Sequence, residues 1–370
     1  MKLGILKEQN DRRVSVVPET LPKLKELGLD FLVEKGAGED AFFDDELYAE
    51  HATVTDRATV LQEADILLSI QPPGDEELKI LSQDTVLVSQ FEPFNDPTIT
   101  QKLRELKLRA FSLDMIPRTT LAQSMDVLSS MASIAGYQAV LEAAHHLPRY
   151  FPMMITAAGS IRPARVLVLG AGVAGLQAIA TAKRLGSMVE ASDTRSAAKE
   201  EVLSLGAKFV EVEGAKEDTG AGGYAVEQTQ EFLERQKAEV QNRAIKADVI
   251  ITTAQVRGRR APLLVPKETV DQMKPGSVIV DLAASSGGNC ELTQDRKTVH
   301  YKGIIIIGNS QLAESMPQDA SQLYSTNVLN FMKLWVKEGE LQLDMENEII
   351  RGALFTAEIE EATAEDQEEE

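Results

Sequence analysis

The stretch Arg165-Val-Leu-Val-Leu-Gly170-Ala-Gly172-Val-Ala-Gly175 decides the fold of this chain. An apolar strand runs directly into three spaced glycines, and a helical pattern follows them. Gly170 permits the tight turn from strand to helix, and Gly172 leaves room for a pyrophosphate at the backbone amides. Gly175 lets the helix approach the strand closely. The stretch therefore predicts the first βα unit of a dinucleotide-binding Rossmann domain.

The next predicted strand, Met188–Ser192, is followed by Asp193, which lies eighteen residues after Gly175. An acid at about this spacing binds the ribose diol of NAD and repels the 2′-phosphate of NADP. Two cations, Arg195 and Lys199, lie close to Asp193 and weaken this preference. We expect NAD(H) as the ligand, and the alternative is a nucleotide fold without a ligand.

The first third of the chain alternates short apolar runs with amphipathic helical segments, which is typical of a parallel sheet covered by helices. Its predicted strands are Leu3–Leu6, Leu32–Val33, Ile66–Ile70, Val86–Val88 and Arg109–Leu113. One long helix, Leu121–Leu147, follows this series and ends before Pro148.

A second alternation has more continuously apolar strands, as expected for a sheet buried on both faces. Its predicted strands are Arg165–Leu169, Met188–Ser192, Lys208–Val212, Asp248–Thr252, Ser277–Asp281 and Ile304–Ile307. The fold class is therefore α/β: two Rossmann-like domains with parallel sheets, joined by long helices, with a cleft between them. The predicted boundaries are 1–126 plus the C-terminal return 312–357, the NAD-binding domain 127–311, and an acidic tail 358–370.

The composition limits the possible partners. With 38 Lys+Arg against 58 Asp+Glu in 370 residues, the net charge is −20, which argues against nucleic acid or anionic lipid as a direct partner. The single cysteine excludes a disulfide framework and a multi-cysteine zinc site, and we expect no metal. The N-terminal apolar run is too short for a signal peptide, so we expect a cytoplasmic protein with no membrane insertion.

Two further features leave alternatives open. The glycine-rich stretch Glu213–Gly223, just before Tyr224, is either a surface loop or a mobile flap over the ligand. The four histidines, at positions 51, 145, 146 and 300, lie in patterns that favour structural or solvated roles over acid–base catalysis.

A polar cluster, Pro117 to Asp126, joins the last strand of the first domain to the long helix. Gln123 and Asp126 are three residues apart, so in a helix they share one face with Ser129, and Arg118 lies one turn earlier. The alternative is a capping box, Thr120-x-x-Gln123, with Asp126 solvated. The expected position at the mouth of a cleft favours a functional role.

At this point the sequence resembles the nucleotide-binding alpha chain (domain I) of the proton-translocating NAD(P) transhydrogenases of the split bacterial type. The resemblance covers nearly the whole chain. Its most specific stretches are Met115–Arg118, Ser124–Ser130, Phe151–Met154, Thr156–Gly159, Gly175–Gly186, Gly222–Ala225, Ile251–Ala254, Gly276–Ala283 and Gly287–Cys290.

The resemblance implies that Arg118, Gln123 and Asp126 match the family's Arg-Gln-Asp loop, which orients the nicotinamide. It also implies nucleotide contacts at Ser129, Val173, Asp193, Thr194, Arg195, Gly223 and Gln255. With Tyr224 and the three glycines of the turn, Gly170, Gly172 and Gly175, these are the expected cofactor-binding residues. Gln255 departs from the apolar residue expected there, and the segment around Tyr224 matches the family's mobile loop.

Alanine dehydrogenase is a second, more distant resemblance. Its pyruvate-binding arginine has a counterpart in Arg13, but its catalytic lysine aligns with Gln71 and its catalytic histidine falls near Glu92. The aspartate of its Asp-Gln-Gly-Gly motif is Ser285 here. Direct hydride transfer between two nicotinamides moves no substrate proton, so these losses favour a transhydrogenase.

The resemblance therefore implies an NAD(H)-binding subunit that exchanges hydride with NADP(H) on a partner domain. It implies a homodimer, a transhydrogenase beta subunit carrying the NADP site, and a membrane-spanning subunit that holds this chain peripherally at the inner face of the plasma membrane. The alternatives are an amino-acid dehydrogenase of the alanine dehydrogenase type and a non-enzymatic NAD-sensing protein.

Overall fold

The computed structural model describes residues 1–195, 197–211 and 230–357, with the backbone alone for 230–233. The glycine-rich stretch with Gly223 and Tyr224, and the acidic tail 358–370, lie outside the described residues. The chain divides into two compact units: Met1–Ser130 with the residues from Pro317 onward, and Met131–Met316.

The elements of the described residues are as follows in chain order. The strands are β1 (Lys2–Ile5), β2 (Asp30–Glu34), β3 (Thr53–Thr55), β4 (Ile66–Leu68), β5 (Val86–Ser89), β6 (Arg109–Ser112), β7 (Met154–Thr156), β8 (Gly159–Ile161), β9 (Arg165–Leu169), β10 (Met188–Ser192), β11 (Lys208–Phe209), β12 (Val249–Thr252), β13 (Val278–Asp281), β14 (Lys297–Tyr301), β15 (Ile304–Gly308), β16 (Val336–Lys337) and β17 (Glu340–Leu341). The α-helices are α1 (Leu21–Lys25), α2 (Asp45–Ala49), α3 (Arg57–Glu63), α4 (Asp75–Ile80), α5 (Thr98–Glu105), α6 (Val127–His146), α7 (Val173–Arg184), α8 (Ala198–Ser204), α9 (Gln230–Lys246), α10 (Lys267–Val270), α11 (Pro317–Met332) and α12 (Glu348–Ala353). None of these helices is both long and apolar enough to cross a bilayer.

The first unit is built on a parallel sheet with the described strands in the order β3-β2-β1-β4-β5-β6, the order of a doubly wound fold. Its central strands are buried on both faces, as all four residues of β5 show. Helix α11 returns to this unit near its N-terminal segment, where Ser321 Oγ accepts a hydrogen bond from Val14 N at 2.9 Å. Trp335 is fully buried and stacks on Phe111, with ring centroids 4.7 Å apart.

The second unit contains a sheet with the described strands in the order β11-β10-β9-β12-β13-β15-β14. All pairings are parallel except that of the edge strand β14 with β15. The strand order reverses between β9 and β12, and this switch point is where doubly wound sheets bind their ligands. Apolar clusters cover the sheet and include Val166, Val168 and Ile251 in one and Leu167 and Ile250 in the other.

The two Rossmann-like α/β folds predicted from the sequence are confirmed, and β9 and β10 have the predicted bounds. The predicted long helix Leu121–Leu147 is wrong at its start. Residues Thr120–Met125 form a 3₁₀ helix, Asp126 is extended (φ −77°, ψ 93°), and α6 begins at Val127. The two helices meet at Asp126, which interrupts the helical pattern.

A buried carboxylate links the segment after β1 to the segment after β4. Glu8 is 6% exposed and accepts hydrogen bonds from Ile70 N at 2.6 Å and Gln71 N at 3.1 Å. Burial raises the pKa of Glu8 to about 7, and these two backbone bonds oppose the rise only in part. Asp11 raises this pKa slightly further, and Arg13 lowers it.

This buried carboxyl gives the stability of the protein a specific pH dependence. Because the folded pKa of Glu8 lies above its unfolded value, the folded state binds more protons between the two values, and stability falls as pH rises through about 7. We expect the unfolding free energy of wild type to lose on the order of 2 kcal/mol, relative to Glu8→Gln, from about pH 5 to pH 8. Urea denaturation at each pH measures these free energies. The control Glu50→Gln, at an exposed position, should show the same pH dependence of the unfolding free energy as wild type. If the unfolding free energy of Glu8→Gln has the same pH dependence as that of wild type, the raised pKa of Glu8 is wrong.

Candidate nucleotide-binding site

The glycine turn after β9 has the geometry that each glycine was expected to provide. Gly170 has a φ of +101°, which disfavours any side chain. A Cβ on Gly175 would lie 1.9 Å from the Gly170 carbonyl oxygen, so α7 packs directly on the turn. Gly172 has open space where a Cβ would stand and is the N-cap of α7. Free backbone amides at a helix N-terminus form a cradle that fits a pyrophosphate.

Asp193 follows β10 and is tied to this turn. Its Oδ2 accepts a hydrogen bond from Ala171 N at 2.7 Å, and its Oδ1 accepts from Arg195 N at 2.8 Å. The Arg195 guanidinium donates to both carboxylate oxygens and, through Nη2, to the Ala171 carbonyl at 3.1 Å. Burial raises the pKa of Asp193, but the bonds from Arg195 and Ala171 outweigh it, and the pKa lies below its usual range. The acid is therefore a carboxylate at neutral pH, as a ribose acceptor must be.

The segment after β12 completes this edge of the sheet. Thr253 Oγ1 donates to the Gly170 carbonyl at 3.1 Å. The next residue, Ala254, is held by the buried side chain of Asn289, whose Oδ1 accepts from Ala254 N at 3.1 Å and whose Nδ2 donates to the Ala254 carbonyl at 2.9 Å. Asn289 Nδ2 also donates to the Pro262 carbonyl at 2.8 Å. One side chain thus fixes both ends of the loop 255–261.

Asn289 is itself positioned by Asp281, the last residue of β13. This carboxylate is fully buried and accepts hydrogen bonds from the Thr252 and Thr293 hydroxyls. It also accepts from the backbone amides of Ala283, Asn289 and Cys290. A buried charge with every lone pair occupied is stable and rigid. Sequence reasoning missed both residues, and the only signal was an acid at the end of a buried strand.

The Arg-Gln-Asp loop lies in the first unit. The side chains of Arg118 and Gln123 are exposed, and neither makes a hydrogen bond within the described portion of the chain. Asp126 Oδ1 accepts from Ser129 N at 2.9 Å, and its Oδ2 accepts from Ser129 Oγ at 2.6 Å. These bonds make Asp126 the N-cap of α6.

This geometry corrects two expectations about the loop. Gln123 and Asp126 do not share an α-helical face, because Gln123 is in the 3₁₀ helix and Asp126 is extended. The capping box at Thr120 is not formed either, since the N-cap of the 3₁₀ helix is Thr119 and its side chain makes no capping bond. Instead, the loop is held by a separate element. Asn327 and Asn330 of α11 donate to the Ser124 carbonyl at 2.9 and 3.2 Å.

Three more of the predicted contacts lie in the second unit, next to the glycine turn, Asp193 and Ala254. Val173 is the first residue of α7 and is 45% exposed, and Thr194 is exposed next to Asp193. Gln255 is exposed, and its Nε2 donates to the Leu282 carbonyl at 3.0 Å. Gly170, Gly172, Gly175, Val173, Asp193, Thr194, Arg195 and Gln255 belong to the second unit, while Arg118, Gln123, Asp126 and Ser129 belong to the first.

Comparison with known proteins defines the class. The family model described as alanine dehydrogenase/PNT, N-terminal domain, matches residues 4–135, and that of the C-terminal domain matches residues 139–361. The chain belongs to the alanine dehydrogenase/PNT family.

Within this family the similarity to transhydrogenases is high. The NAD(P) transhydrogenase subunit alpha of Haemophilus influenzae is 41% identical over 366 residues, which cover 98% of this chain and 72% of that one. The crystal structure of transhydrogenase from Sinorhizobium meliloti matches with a TM-score of 0.87 and 41% identity over 95% of this chain and 97% of that one. A solved L-alanine dehydrogenase matches with a TM-score of 0.75 over 90% of both chains, and at 24% identity it shares the fold.

The Asp193–Arg195 pair generates a prediction about cofactor choice. We expect wild type to bind NADH more tightly than NADPH, because the carboxylate repels a 2′-phosphate. Asp193→Ala removes the expected ribose acceptor and frees Arg195 from the carboxylate. The ratio of NADH affinity to NADPH affinity should therefore fall by about ten-fold or more. Calorimetric titration of both nucleotides measures the ratio.

The double variant Asp193→Ala/Arg195→Gln is the control, since it lacks the freed cation and should not gain NADPH affinity relative to Asp193→Ala. Equal affinities of the unmutated protein for NADH and NADPH would show that Asp193 does not select the nucleotide.

Proposed function

We propose that this chain is the NAD(H)-binding subunit of a proton-translocating NAD(P) transhydrogenase and exchanges hydride with NADP(H) bound to a partner domain. One observation carries the proposal. By the resemblance, Gln71 stands where an alanine dehydrogenase has its catalytic lysine, Ser285 where it has the aspartate of an Asp-Gln-Gly-Gly motif, and Glu92 near its catalytic histidine. None of the three supplies the chemistry of those groups. Direct transfer needs no such groups, because the hydride moves between two nicotinamides and no substrate proton moves with it.

The local contacts of these positions support this conclusion. Glu92 has a φ of +49°, and its carboxylate accepts a hydrogen bond from Asn95 Nδ2 at 2.7 Å. Arg13, the counterpart of a pyruvate-binding arginine, is only 8% exposed, and its guanidinium is bound to Asp11. An arginine neutralised by an internal carboxylate is a weak site for a substrate carboxylate.

The chain's own residues have three roles in this proposal. The amides at the start of α7 hold the pyrophosphate, and Asp193 accepts the ribose hydroxyls. Arg118, Gln123 and Asp126 orient the nicotinamide ring. When bound, the cofactor supplies the hydride, which is carried at C4 of that ring. Because only positioning is required, small displacements of these side chains reduce the rate strongly.

The proposal also includes partners and location. The NADP(H) site belongs to a transhydrogenase beta subunit, and proton movement belongs to a membrane-spanning subunit. With a charge of −20, this chain would be repelled by an anionic leaflet, so it is held at the inner face of the plasma membrane by those subunits.

Hydride transfer from NADH to an NADP analogue, measured by stopped flow with and without a beta subunit, tests the proposal. We expect exchange only when both chains are present. Asp126→Asn should slow it about 100-fold with little change in stability, because asparagine caps a helix as well as aspartate does. Asp126→Ala is the control, since it removes the cap as well as the charge and should also lower the melting temperature.

Two results would contradict the proposal. Reduction of pyruvate with ammonia by the isolated chain at an ordinary enzymatic rate, about 1–1,000 per second, would instead identify an alanine dehydrogenase. Binding of NADH without exchange in the presence of a competent beta subunit would support an NAD-sensing protein.

The homodimer is the remaining element of the proposal, and the β7–β8 hairpin supports it. The hairpin exposes Ile155 (77%) and Ile161 (41%), and Met153, just before β7, is also exposed (59%). A two-stranded hairpin without a covering surface is marginally stable in water, and neighbouring exposed apolar residues mark an interface. A second copy of this chain is the proposed cover.

We expect Ile155→Ser/Ile161→Ser to raise the dimer dissociation constant by about 100-fold, since two large apolar side chains leave the interface. Sedimentation velocity across a concentration series measures this shift. Leu203→Ser, which removes an equally large side chain 49% exposed on α8, should leave the dimer unchanged. A double variant as dimeric as wild type would exclude the hairpin from the interface.

A further inference from the structure

The loop 255–261 after β12 is an unusual surface for this chain. From Val249 to Lys267 there are four basic residues and no acidic residue, although the whole chain has a net charge of −20. Arg257, Arg259 and Arg260 are all exposed. Asp281 underlies this region, but it is fully buried and its oxygens are occupied by five donors. The surface of the loop is therefore strongly cationic.

The loop is held in one conformation by contacts of its backbone. Asn289 ties its two ends at Ala254 and Pro262, and Ala261 N donates to the Ser286 carbonyl at 2.8 Å. Its tip turns at Gly258, where φ is +66° and Arg259 N donates to the Val256 carbonyl at 3.1 Å. Neither Arg259 nor Arg260 is used in an ion pair within the described residues, and both residues are exposed on a backbone that these contacts fix. The Arg260 side chain passes close to Gly287, where a Cβ would lie 3.1 Å from Arg260 Nε.

Two further features favour a protein as the partner of this loop. Val256 and Leu263 are 50% and 52% exposed beside the arginines. Arginine combined with exposed apolar side chains is typical of protein interfaces, whereas a small anion needs only the charges. The loop also begins at the sheet edge that carries Gly170, because Thr253 bridges the two. A partner bound to the loop is thereby close to the candidate nucleotide.

We propose that the loop 255–261 is an electrostatic docking surface for an acidic patch on the protein that carries the second nucleotide. This inference rests on the proposed function and adds to it the surface through which the partner is recognised. Arg259 and Arg260 steer and hold the partner, and Asn289 keeps the loop in the shape that presents them.

The experiment measures three quantities for each variant of the full-length chain. They are its affinity for a transhydrogenase beta subunit in nanodiscs of neutral lipid, its affinity for NADH, and its hydride transfer rate at saturating beta subunit. The variants are Arg259→Gln, Arg260→Gln, the double glutamine variant and the double charge reversal Arg259→Glu/Arg260→Glu. The matched control is Arg184→Gln, which removes an exposed arginine at the end of α7, before β10 begins.

We expect each single variant to weaken beta-subunit binding by about two- to five-fold, and the charge reversal to weaken it by about 100-fold. Wild-type affinity should fall with rising salt, and the double glutamine variant should show a shallower salt dependence. NADH affinity and the transfer rate at saturating beta subunit should not change, and Arg184→Gln should match wild type.

The opposite outcomes separate this inference from the proposed function. If the double glutamine and charge-reversal variants bind the beta subunit as tightly as wild type, the docking surface is wrong and the proposed function stands. If NADH affinity falls while beta-subunit affinity is unchanged, the loop contacts nucleotide phosphates and the inference is overturned. If wild type neither binds the beta subunit nor exchanges hydride, the proposed function fails and the inference fails with it.

Discussion

The candidate nucleotide site depends on the close approach of α7 to β9. A Cβ on Gly175 would lie 1.9 Å from the Gly170 carbonyl oxygen, and a Cβ on Gly170 would lie 2.4 Å from Thr253 Oγ1. Neither position tolerates a side chain, so the helix N-terminus is fixed at the switch point of the sheet. This approach is also what brings Ala171 N within 2.7 Å of the Asp193 carboxylate. The start of α7 and the Asp193 carboxylate, which we propose as anion cradle and ribose acceptor, therefore owe their positions to one packing constraint.

A second constraint at the same edge is the buried carboxylate of Asp281. Its five donors leave it no lone pair for solvent, and it orients Asn289, which in turn fixes the ends of the loop 255–261. The loop is thus anchored at both ends, and Gln255 Nε2 adds one bond from the loop to the Leu282 carbonyl. Arg259 and Arg260 make no ion pair within the described residues, so the charge that we propose for recognition lies on this surface at little cost to stability.

The fold was predictable from the sequence where a single physical signal dominates. Four consecutive apolar residues of β9 lead directly into the glycine turn, and β10 lies between the helix after that turn and Asp193; both strands have the predicted bounds. The start of α6 was not predictable, because a spacing of three residues between Gln123 and Asp126 suits a 3₁₀ turn as well as an α-helix. The hairpin β7–β8 was missed because its residues are almost all exposed and show no buried alternation. Asn289 was missed because its partners lie 27 to 35 residues away.

The chain shares its fold with a solved L-alanine dehydrogenase, and its buried Arg13 shows why a shared residue need not imply a shared reaction. Arg13 and Asp11 form a buried pair, with Arg13 Nε 2.9 Å from Asp11 Oδ1. Losing one partner leaves the other charge buried and unpaired, at a cost of about 3–5 kcal/mol. Gln71 and Glu92 are exposed and form no such buried pair, so the fold does not constrain their side chains in the same way. An arginine retained for stability is consequently no evidence for a carboxylate substrate, and the proposal of direct hydride transfer therefore rests on the residues at these two positions and not on Arg13.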